Sequence, residues 1–367
     1  MSKIKTSFSV LALSMAVSMA THAADTIKIA IAGPMTGTVS QYGDMQFQGT
    51  HAAVDLINKA GGINGKMIET VEYDDACDPK QAVAVANKVV NDGIQFVVGH
   101  LCSSSTQPAT DVYEEEGVLA ITCSTNPTIT ERGNKLIFRT IGLDSDQGPT
   151  AGNYIASTIK PQRVAIVHDK QQYGEGIAMS VQKVLTDAGI KVVMTEGVTP
   201  GDKDFSSLIT KMKKENVDFV YYGGYHPELG LIMRQSHETG FKPQFMGPEA
   251  VGNKEISSLA GEGSEGLLVT LPARYDLLPQ NKDIVDLMKS KGQDPTGPFV
   301  WTSVAAVQTM AKVIGDGATD ATIAAEMIRG KTIDTAMGPL TWDQKGDLIG
   351  FEFGIYKWHA DGTGTPL

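Results

Sequence analysis

Short apolar runs alternate with longer amphipathic stretches along this chain from residue 25 onward. In its first part, the runs that predict β-strands lie at 27–32, 69–73, 94–98 and 118–122. Helical patterns separate them; one begins near Gly43, and another follows Asp78-Pro79, a dipeptide typical of a helix N-terminus. This alternation predicts a parallel sheet covered by helices on both faces.

The same alternation begins again near residue 145 and predicts a second α/β lobe. Its predicted strands lie at 164–167, 192–194, 219–222 and 244–246, and its helices at about 174–188, 203–215 and 228–239. The last third is less regular, with helical patterns at 281–291, 299–315 and 320–329 and short strands around 338–342 and 351–356. The periodicity leaves open whether this third is a separate domain or rejoins the first lobe.

The composition is that of a globular protein, with 41% hydrophobic and 20% charged residues among 367, a length that favours two domains. Residues 1–24 differ from the rest. Lys3 and Lys5 precede an apolar core from Phe8 to Ala20, which predicts a secretory signal peptide. No later stretch approaches the roughly 20 apolar residues of a membrane-spanning helix. We therefore expect a soluble, exported mature protein.

The formal net charge is −11, and no cluster of basic residues occurs. This acidic balance argues against nucleic acid or an anionic membrane as a partner. No G-x-S-x-G, P-loop or H-E-x-x-H motif is present, and the G-x-G-x-x-G match at 261–266 precedes a predicted strand instead of following one. His168 and His226 end strands singly, which is not a metal-binding pattern. We expect no enzyme activity, no cofactor and no metal.

Polar residues at the carboxyl ends of the predicted strands suggest ligand binding. The stretch 99–110 places four hydroxyls, Ser103 to Thr106, at a helix N-terminus, where free N–H groups favour an anion. In the second lobe, Tyr173, Tyr225 and Glu249 each follow a strand. Such sheets bind ligands at this edge, and a carboxylate there suits an ammonium group. The two edges together predict a site for a zwitterion.

Three cysteines, Cys77, Cys102 and Cys123, each follow a predicted strand. In an oxidising compartment two of them can pair while one remains free. Their positions in the sequence do not choose the pair.

Several long blocks of the sequence are specific enough to indicate a family. They lie at 73–87, 99–110, 165–176, 219–228, 244–249 and 337–347, and they include Tyr-Asp-Asp-Ala-Cys-Asp-Pro-Lys-Gln-Ala and Tyr-Tyr-Gly-Gly-Tyr-His-Pro-Glu. Through these blocks the mature chain closely resembles periplasmic branched-chain amino-acid-binding proteins. These are the leucine/isoleucine/valine and leucine-specific receptors of ABC importers.

The resemblance implies a type I periplasmic binding protein fold. This is an α/β architecture of two doubly wound parallel-sheet lobes joined by three crossover segments, which would fall near 143, 271 and 351. Lobe one would comprise 25–143 plus 272–351, and lobe two 144–271 plus 352–367.

The resemblance further implies a Cys77–Cys102 disulfide and contacts for the ligand carboxylate. Ser103 and Thr125 would hold that carboxylate, with backbone groups around Ser124. The remaining three hydroxyls of the turn would cap the helix. The segment that contains Ser124 and Thr125 is one residue shorter than in the family.

Contacts for the rest of the ligand are implied in the same way. Glu249 would hold the ammonium group, with Asp144 nearby, and Tyr42, Tyr173 and Tyr225 would enclose the side chain. A Tyr at position 42 favours specificity for leucine, isoleucine and valine together, because leucine-specific relatives tend to carry Trp there.

The function implied is capture of branched-chain L-amino acids in the periplasm by hinge closure. A monomer would deliver them to an inner-membrane ABC permease complex. A soluble amino-acid sensor or receptor module of the same fold is the alternative.

Overall fold

The computed structural model describes residues 26–367, so the predicted signal peptide at 1–24 lies outside the described residues. Within 26–367, strands and helices alternate as the sequence predicts. Every helix in that range is too short or too polar to cross a membrane.

The first part of the described chain forms a five-stranded parallel sheet. Its elements are, in order, β1 Ile27–Gly33, α1 Ser40–Lys59, β2 Ile68–Asp74, α2 Pro79–Asn91, β3 Phe96–Gly99, α3 Ser103–Glu116, β4 Leu119–Thr122 and β5 Ile137–Arg139. The strands lie in the order β2-β1-β3-β4-β5, and each neighbouring pair is parallel. Strand β5 is absent from the sequence prediction, because three residues are too few to show a periodicity.

A second sheet is built mainly from the middle of the chain. The elements up to its fifth strand are α4 Asp144–Tyr154, β6 Val164–His168, α5 Gln172–Asp187, β7 Val192–Gly197, α6 Ser206–Lys214, β8 Phe219–Gly223, α7 His226–Glu238, β9 Gln244–Gly247, α8 Lys254–Ala260 and β10 Leu268–Leu271. Helix α4 is also absent from the prediction, since it contains Pro149 and lacks an apolar stripe. Gly148 and Gly152 allow it to lie directly against Ser180 and Val184 of α5.

The last third of the chain packs on both sheets. Its elements are α9 Lys282–Ser290, α10 Pro298–Gly315, α11 Ala321–Arg329, β11 Thr332–Thr335, β12 Gly338–Thr341, β13 Gly354–Trp358 and β14 Gly364–Pro366. Val300 and Val304 of α10 share a core with Ile29 and Phe138 of the first sheet. Strands β13 and β14 complete the second sheet, whose order is β14-β13-β10-β9-β8-β6-β7 with antiparallel pairing at the β13–β14 edge.

Strand β13 begins later than the apolar pattern predicts. Phe351 and Phe353 pack against each other with ring centroids 5.0 Å apart. Both also approach Gly142, where a Cβ atom would lie 2.5 Å from the Phe351 ring. These two aromatic residues therefore fill the junction between the sheets instead of extending a strand.

Helix α2 begins where the sequence predicts. Asp78 Oδ1 accepts hydrogen bonds from the N–H groups of Lys80 at 2.9 Å and Gln81 at 2.8 Å, and Pro79 occupies the first helical position. Because these N–H groups have no carbonyl partner within the helix, such a cap stabilises it by about 1 kcal/mol.

A disulfide joins Cys77, in the loop after β2, to Cys102 at the start of α3, with their Cα atoms 5.5 Å apart. This pairing confirms the one that the resemblance implies, and Cys123 is free and buried. The same two segments are also joined by a buried polar contact, since His100 Nδ1 lies 2.6 Å from Asp75 Oδ2. Covalent and polar contacts thus hold the turn that begins α3.

We expect replacement of both bridging cysteines, Cys77→Ser with Cys102→Ser, to lower the free energy of unfolding by about 3 kcal/mol. The bridge spans 25 positions of sequence, and its loss restores the conformational entropy of that loop in the unfolded chain. Urea unfolding would measure the loss. Cys123→Ala, which leaves the bridge intact, is the control; equal stability of the double variant and this control would contradict the expectation.

Candidate functional site

A small enclosed space of about 210 Å³ lies between the carboxyl ends of the two sheets. It is lined by Leu101, Ser103, Cys123, Ser124 and Thr125 after β3 and β4, by Tyr173, Tyr225, Glu249 and Ala250 after strands of the second sheet, and by Phe299 of α10. Each lining residue is at most 6% exposed, so the lobes are closed over this space.

Six of the seven ligand contacts implied by the resemblance line this space. The exception is Tyr42, which is buried behind the lining. Its ring packs on Tyr225 and Phe299 at centroid distances of 5.6 and 5.5 Å, and its hydroxyl donates to the Ala250 carbonyl at 2.6 Å. Tyr42 therefore supports the aromatic wall from outside.

A larger cleft between the lobes opens to the surface elsewhere, beside Arg274 and Lys254. Both cations are already paired, Arg274 with Asp276 at 2.7 Å and Lys254 with Asp294 at 2.6 Å. Among the described residues, none that lines this cleft carries a buried polar atom without a partner. The chemistry that a charged ligand needs is in the smaller, enclosed space.

The start of α3 lines one half of the enclosed space with groups that suit an anion. Ser103 is the first residue of the helix, where N–H groups have no carbonyl partner within the helix. Its Oγ accepts the N–H of Asn126 at 3.4 Å, which leaves the Ser103 hydroxyl proton free to donate. Together these groups suit a carboxylate without any Arg or Lys.

The prediction that the remaining hydroxyls of the turn cap α3 is wrong for two of them. The N-cap is Cys102, and no side chain accepts a capping bond there. Ser105 Oγ and Thr106 Oγ1 instead donate to the Cys102 carbonyl at 3.0 and 2.9 Å. A Ser or Thr hydroxyl in a helix can bond to the carbonyl three or four residues before it, and Cys102 lies at that spacing from Ser105 and Thr106.

The segment after β4 is held by bonds that use the polar groups of Ser124. Its Oγ donates to the Leu101 carbonyl at 2.7 Å, and its N–H donates to Thr122 Oγ1 at 3.0 Å. Ser124 therefore lines the space while its polar groups hold the segment in place. Thr125 also lines the space and is 2% exposed.

Arg139, which sequence reasoning missed, supports this segment from the protein interior. The guanidinium is fully buried and donates to the carbonyls of Ser124 and of Asn126, the latter at 2.7 Å, while its Nε donates to Asp347 Oδ1 at 2.8 Å. Burial lowers the pKa of Arg139, and the Asp347 carboxylate opposes this effect. The available signal was a charged residue closing the apolar run Leu136–Phe138.

Two buried carboxylates belong to the opposite half of the site, Glu249 in the lining and Asp144 outside it. Glu249 Oε2 and both oxygens of Asp144 have no hydrogen-bond partner among the described residues. Burial raises the pKa of Glu249 to about 7, while Gln147 and Tyr173 act in the opposite direction. Burial, and then the Glu249 charge, raise the pKa of Asp144 well above its usual value. An ammonium group would relieve both effects.

The walls between these halves are aromatic and apolar. The rings of Tyr173 and Tyr225 are 5.2 Å apart and both are buried. Burial raises the pKa of the Cys123 thiol to about 12, so Cys123 lines the space as a small neutral group. The arrangement can thus hold an anion, a cation and an apolar group at once.

Two α/β lobes that enclose a small space at the carboxyl ends of their strands define a bilobal solute-binding protein. The chain belongs to the periplasmic binding protein family, whose model matches residues 26–363. It is 60% identical over 343 residues to a Leu/Ile/Val/Thr-binding protein of Salmonella typhimurium, covering 93% of this chain and 94% of the relative. A Leu/Ile/Val-binding protein of Escherichia coli is also 60% identical, with 93% of each chain covered.

A solved structure gives the same fold at lower sequence identity. It is the branched-chain amino acid transporter substrate-binding protein of Streptococcus pneumoniae in complex with isoleucine. The TM-score is 0.85 at 25% identity, and the match covers 93% of this chain and 98% of that chain. The type I periplasmic binding protein fold is thereby confirmed.

We expect Glu249 to make the unliganded protein less stable as pH rises from about 4.5 to about 7. In this window the folded state, where the pKa of Glu249 is about 7, binds more protons than the unfolded chain, where it is near 4.5. Stability should therefore fall through this window. Chemical denaturation at a series of pH values would measure the slope, which Glu249→Gln should flatten. The exposed Glu262→Gln should leave the slope unchanged; the same slope in both variants would contradict the assignment.

Proposed function

We propose that this protein captures the branched-chain L-amino acids leucine, isoleucine and valine in the enclosed space. The observation that carries the proposal is the buried Glu249 carboxylate, whose Oε2 has no partner, at a space that also contains Ser103 at a helix N-terminus. The buried Asp144 carboxylate lies close enough to Glu249 to feel its charge. Each half of the site would be costly to bury without a charged partner, whereas a zwitterion supplies a partner of opposite charge to both halves. The names of the two bacterial relatives and the isoleucine in the Streptococcus structure support this ligand class.

The residues divide into three groups in this proposal. Ser103 and Thr125, with N–H groups of α3, hold the carboxylate, and Glu249 holds the ammonium group with Asp144 beside it. Tyr173 and Tyr225 enclose the side chain together with the apolar lining. Ser124 lines the space and fixes its own segment, while Tyr42 supports the aromatic wall from outside the lining.

Closure of two lobes about a hinge is the mechanism we propose. The division that the resemblance implies, 25–143 plus 272–351 and 144–271 plus 352–367, is supported by the strand membership of the two sheets. The hinge includes the junction where Phe351 and Phe353 pack against Gly142. The ligand docks on lobe one through its carboxylate, and lobe two then brings Glu249 over the ammonium group.

The setting proposed for this activity is the periplasm. The signal peptide pattern at residues 1–24 and the family to which the chain belongs support it. The closed monomer would then be recognised by an inner-membrane ABC permease complex, and the amino acid would leave chemically unchanged.

The ligand class is tested by a thermal-shift screen of the twenty amino acids together with two analogues of leucine. We expect leucine, isoleucine and valine to raise the melting temperature, because a ligand that binds the folded state stabilises it. 4-Methylpentanoate, which lacks the ammonium group, and 3-methylbutylamine, which lacks the carboxylate, should have no effect at equal concentration. Stabilisation by either analogue equal to that by leucine would contradict a zwitterion site.

The role of Glu249 is tested by calorimetric titration of leucine into Glu249→Gln and Glu249→Ala. We expect each variant to bind leucine more than tenfold more weakly, because the ligand ammonium would be buried without its counter-charge. Glu262→Gln, an exposed carboxylate removed in the same way, is the matched control. Unchanged affinity in the Glu249 variants would refute the ammonium assignment.

A further inference from the structure

Polar contacts join the two lobes at two places beside the ligand space without lining it. We propose that these contacts, one group centred on His226 and the other on Asn126, act as a closure latch that sets ligand affinity by stabilising the closed form. The inference rests on the proposed function, since a latch matters only in a protein that closes on a ligand.

The first group connects Tyr42 to the start of α7 and the turn after β9. The Tyr42 hydroxyl donates to the Ala250 carbonyl at 2.6 Å, and its oxygen lies 2.5 Å from His226 Nδ1. His226 Nε2 lies 3.0 Å from Glu255 Oε2, and this pairing lowers the pKa of Glu255. The amide of Gln41 reaches the same ring at 2.8 Å. His226 is 1% exposed and lies outside the lining of the ligand space.

The second group connects the segment after β4 to the start of α5. Asn126 Nδ2 donates to the Gln172 carbonyl at 2.9 Å. The Gln172 side-chain amide donates in turn to Thr128 Oγ1 at 2.8 Å and to Gln107 Oε1. Asn126 is held from behind, because its own carbonyl accepts from Arg139 at 2.7 Å. The contact is therefore anchored on the lobe-one side.

Gly176 makes this second contact possible. A Cβ atom at Gly176 would lie 2.6 Å from Asn126 Nδ2, so the Asn126 amide would have to move away from the Gln172 carbonyl that accepts its hydrogen bond. Gly176 lies inside α5 and has an ordinary helical backbone, which does not require glycine. Its missing side chain instead leaves room for Asn126 of the other lobe. In an open form, where α5 and Asn126 are apart, alanine would fit without strain.

These contacts change affinity through the closing equilibrium. A ligand that binds only the closed form has an apparent affinity proportional to the population of that form. Each buried hydrogen bond that forms only on closure shifts this equilibrium by about 2- to 10-fold. Loss of one of the two groups of contacts should therefore weaken ligand binding several-fold and speed ligand release, although no contact to the ligand is removed.

The test begins with leucine titration of the wild type and of Gly176→Ala. We expect the variant to bind about 2- to 10-fold more weakly. Its unliganded melting temperature should be equal or higher, because alanine favours a helix over glycine. Small-angle scattering with saturating leucine should give a larger radius of gyration than the wild type gives. Gly315→Ala in α10 is the matched control, since a Cβ there meets only an ordinary contact at 3.6 Å.

The first group of latch contacts is tested by Tyr42→Phe and His226→Gln, separately and together. Each single variant is expected to weaken leucine binding about fivefold and to raise its dissociation rate. Because the two side chains share one bond, the double variant should lose less than the product of the single effects. Multiplicative effects would show that they do not act as one latch.

Failure of the latch is distinguishable from failure of the proposed function. Wild-type protein that binds no amino acid refutes the proposed function. Wild-type binding with unchanged affinity in Gly176→Ala and in Tyr42→Phe overturns the latch alone. Weaker binding in Gly176→Ala with an unliganded melting temperature well below that of the control also overturns it, since the effect would then lie in folding.

Discussion

Two buried carboxylates without a cation partner are the constraint on which the closed structure depends. Glu249 and Asp144 lie close enough for the charge of one to raise the pKa of the other, and burial raises both values. Charges are buried in proteins at low cost only when they are paired. The closed form is therefore incomplete by itself, and an ammonium group is the simplest means of completing it. The cost of burying these carboxylates unpaired therefore accounts both for closure on a ligand and for selection of an α-amino group.

The two halves of the site are built differently. On the lobe-one side, the buried Arg139, its partner Asp347 and the Cys77–Cys102 bridge fix the backbone around Ser103 before any ligand arrives. On the lobe-two side, the carboxylate is left unsatisfied. In the binding that we propose, a rigid site for the carboxylate and an unsatisfied site for the ammonium group would make docking precede closure.

Most of the fold could be predicted from local sequence, because strand and helix periods and the Asp78-Pro79 cap are short-range signals. Helix α4 could not be predicted, since its packing depends on Gly148 and Gly152 and not on an apolar stripe. Most residues of the candidate site were suggested by their place after strands or by family resemblance. Arg139 and the position of Tyr42 were not, because their partners lie up to 208 positions away in the chain.

The packing of α10 has a consequence for the order in which the chain can fold. Ile29 near the start and Val300 near the end belong to one core, and the strands of the second sheet up to β10 lie between them in sequence. Contacts of such long sequence separation form slowly, because a large loop must close first. During synthesis, the first lobe cannot complete its core until residue 300 has been made. Helix α10 thus completes a core that β1 begins, after the parallel strands of the second sheet have been made.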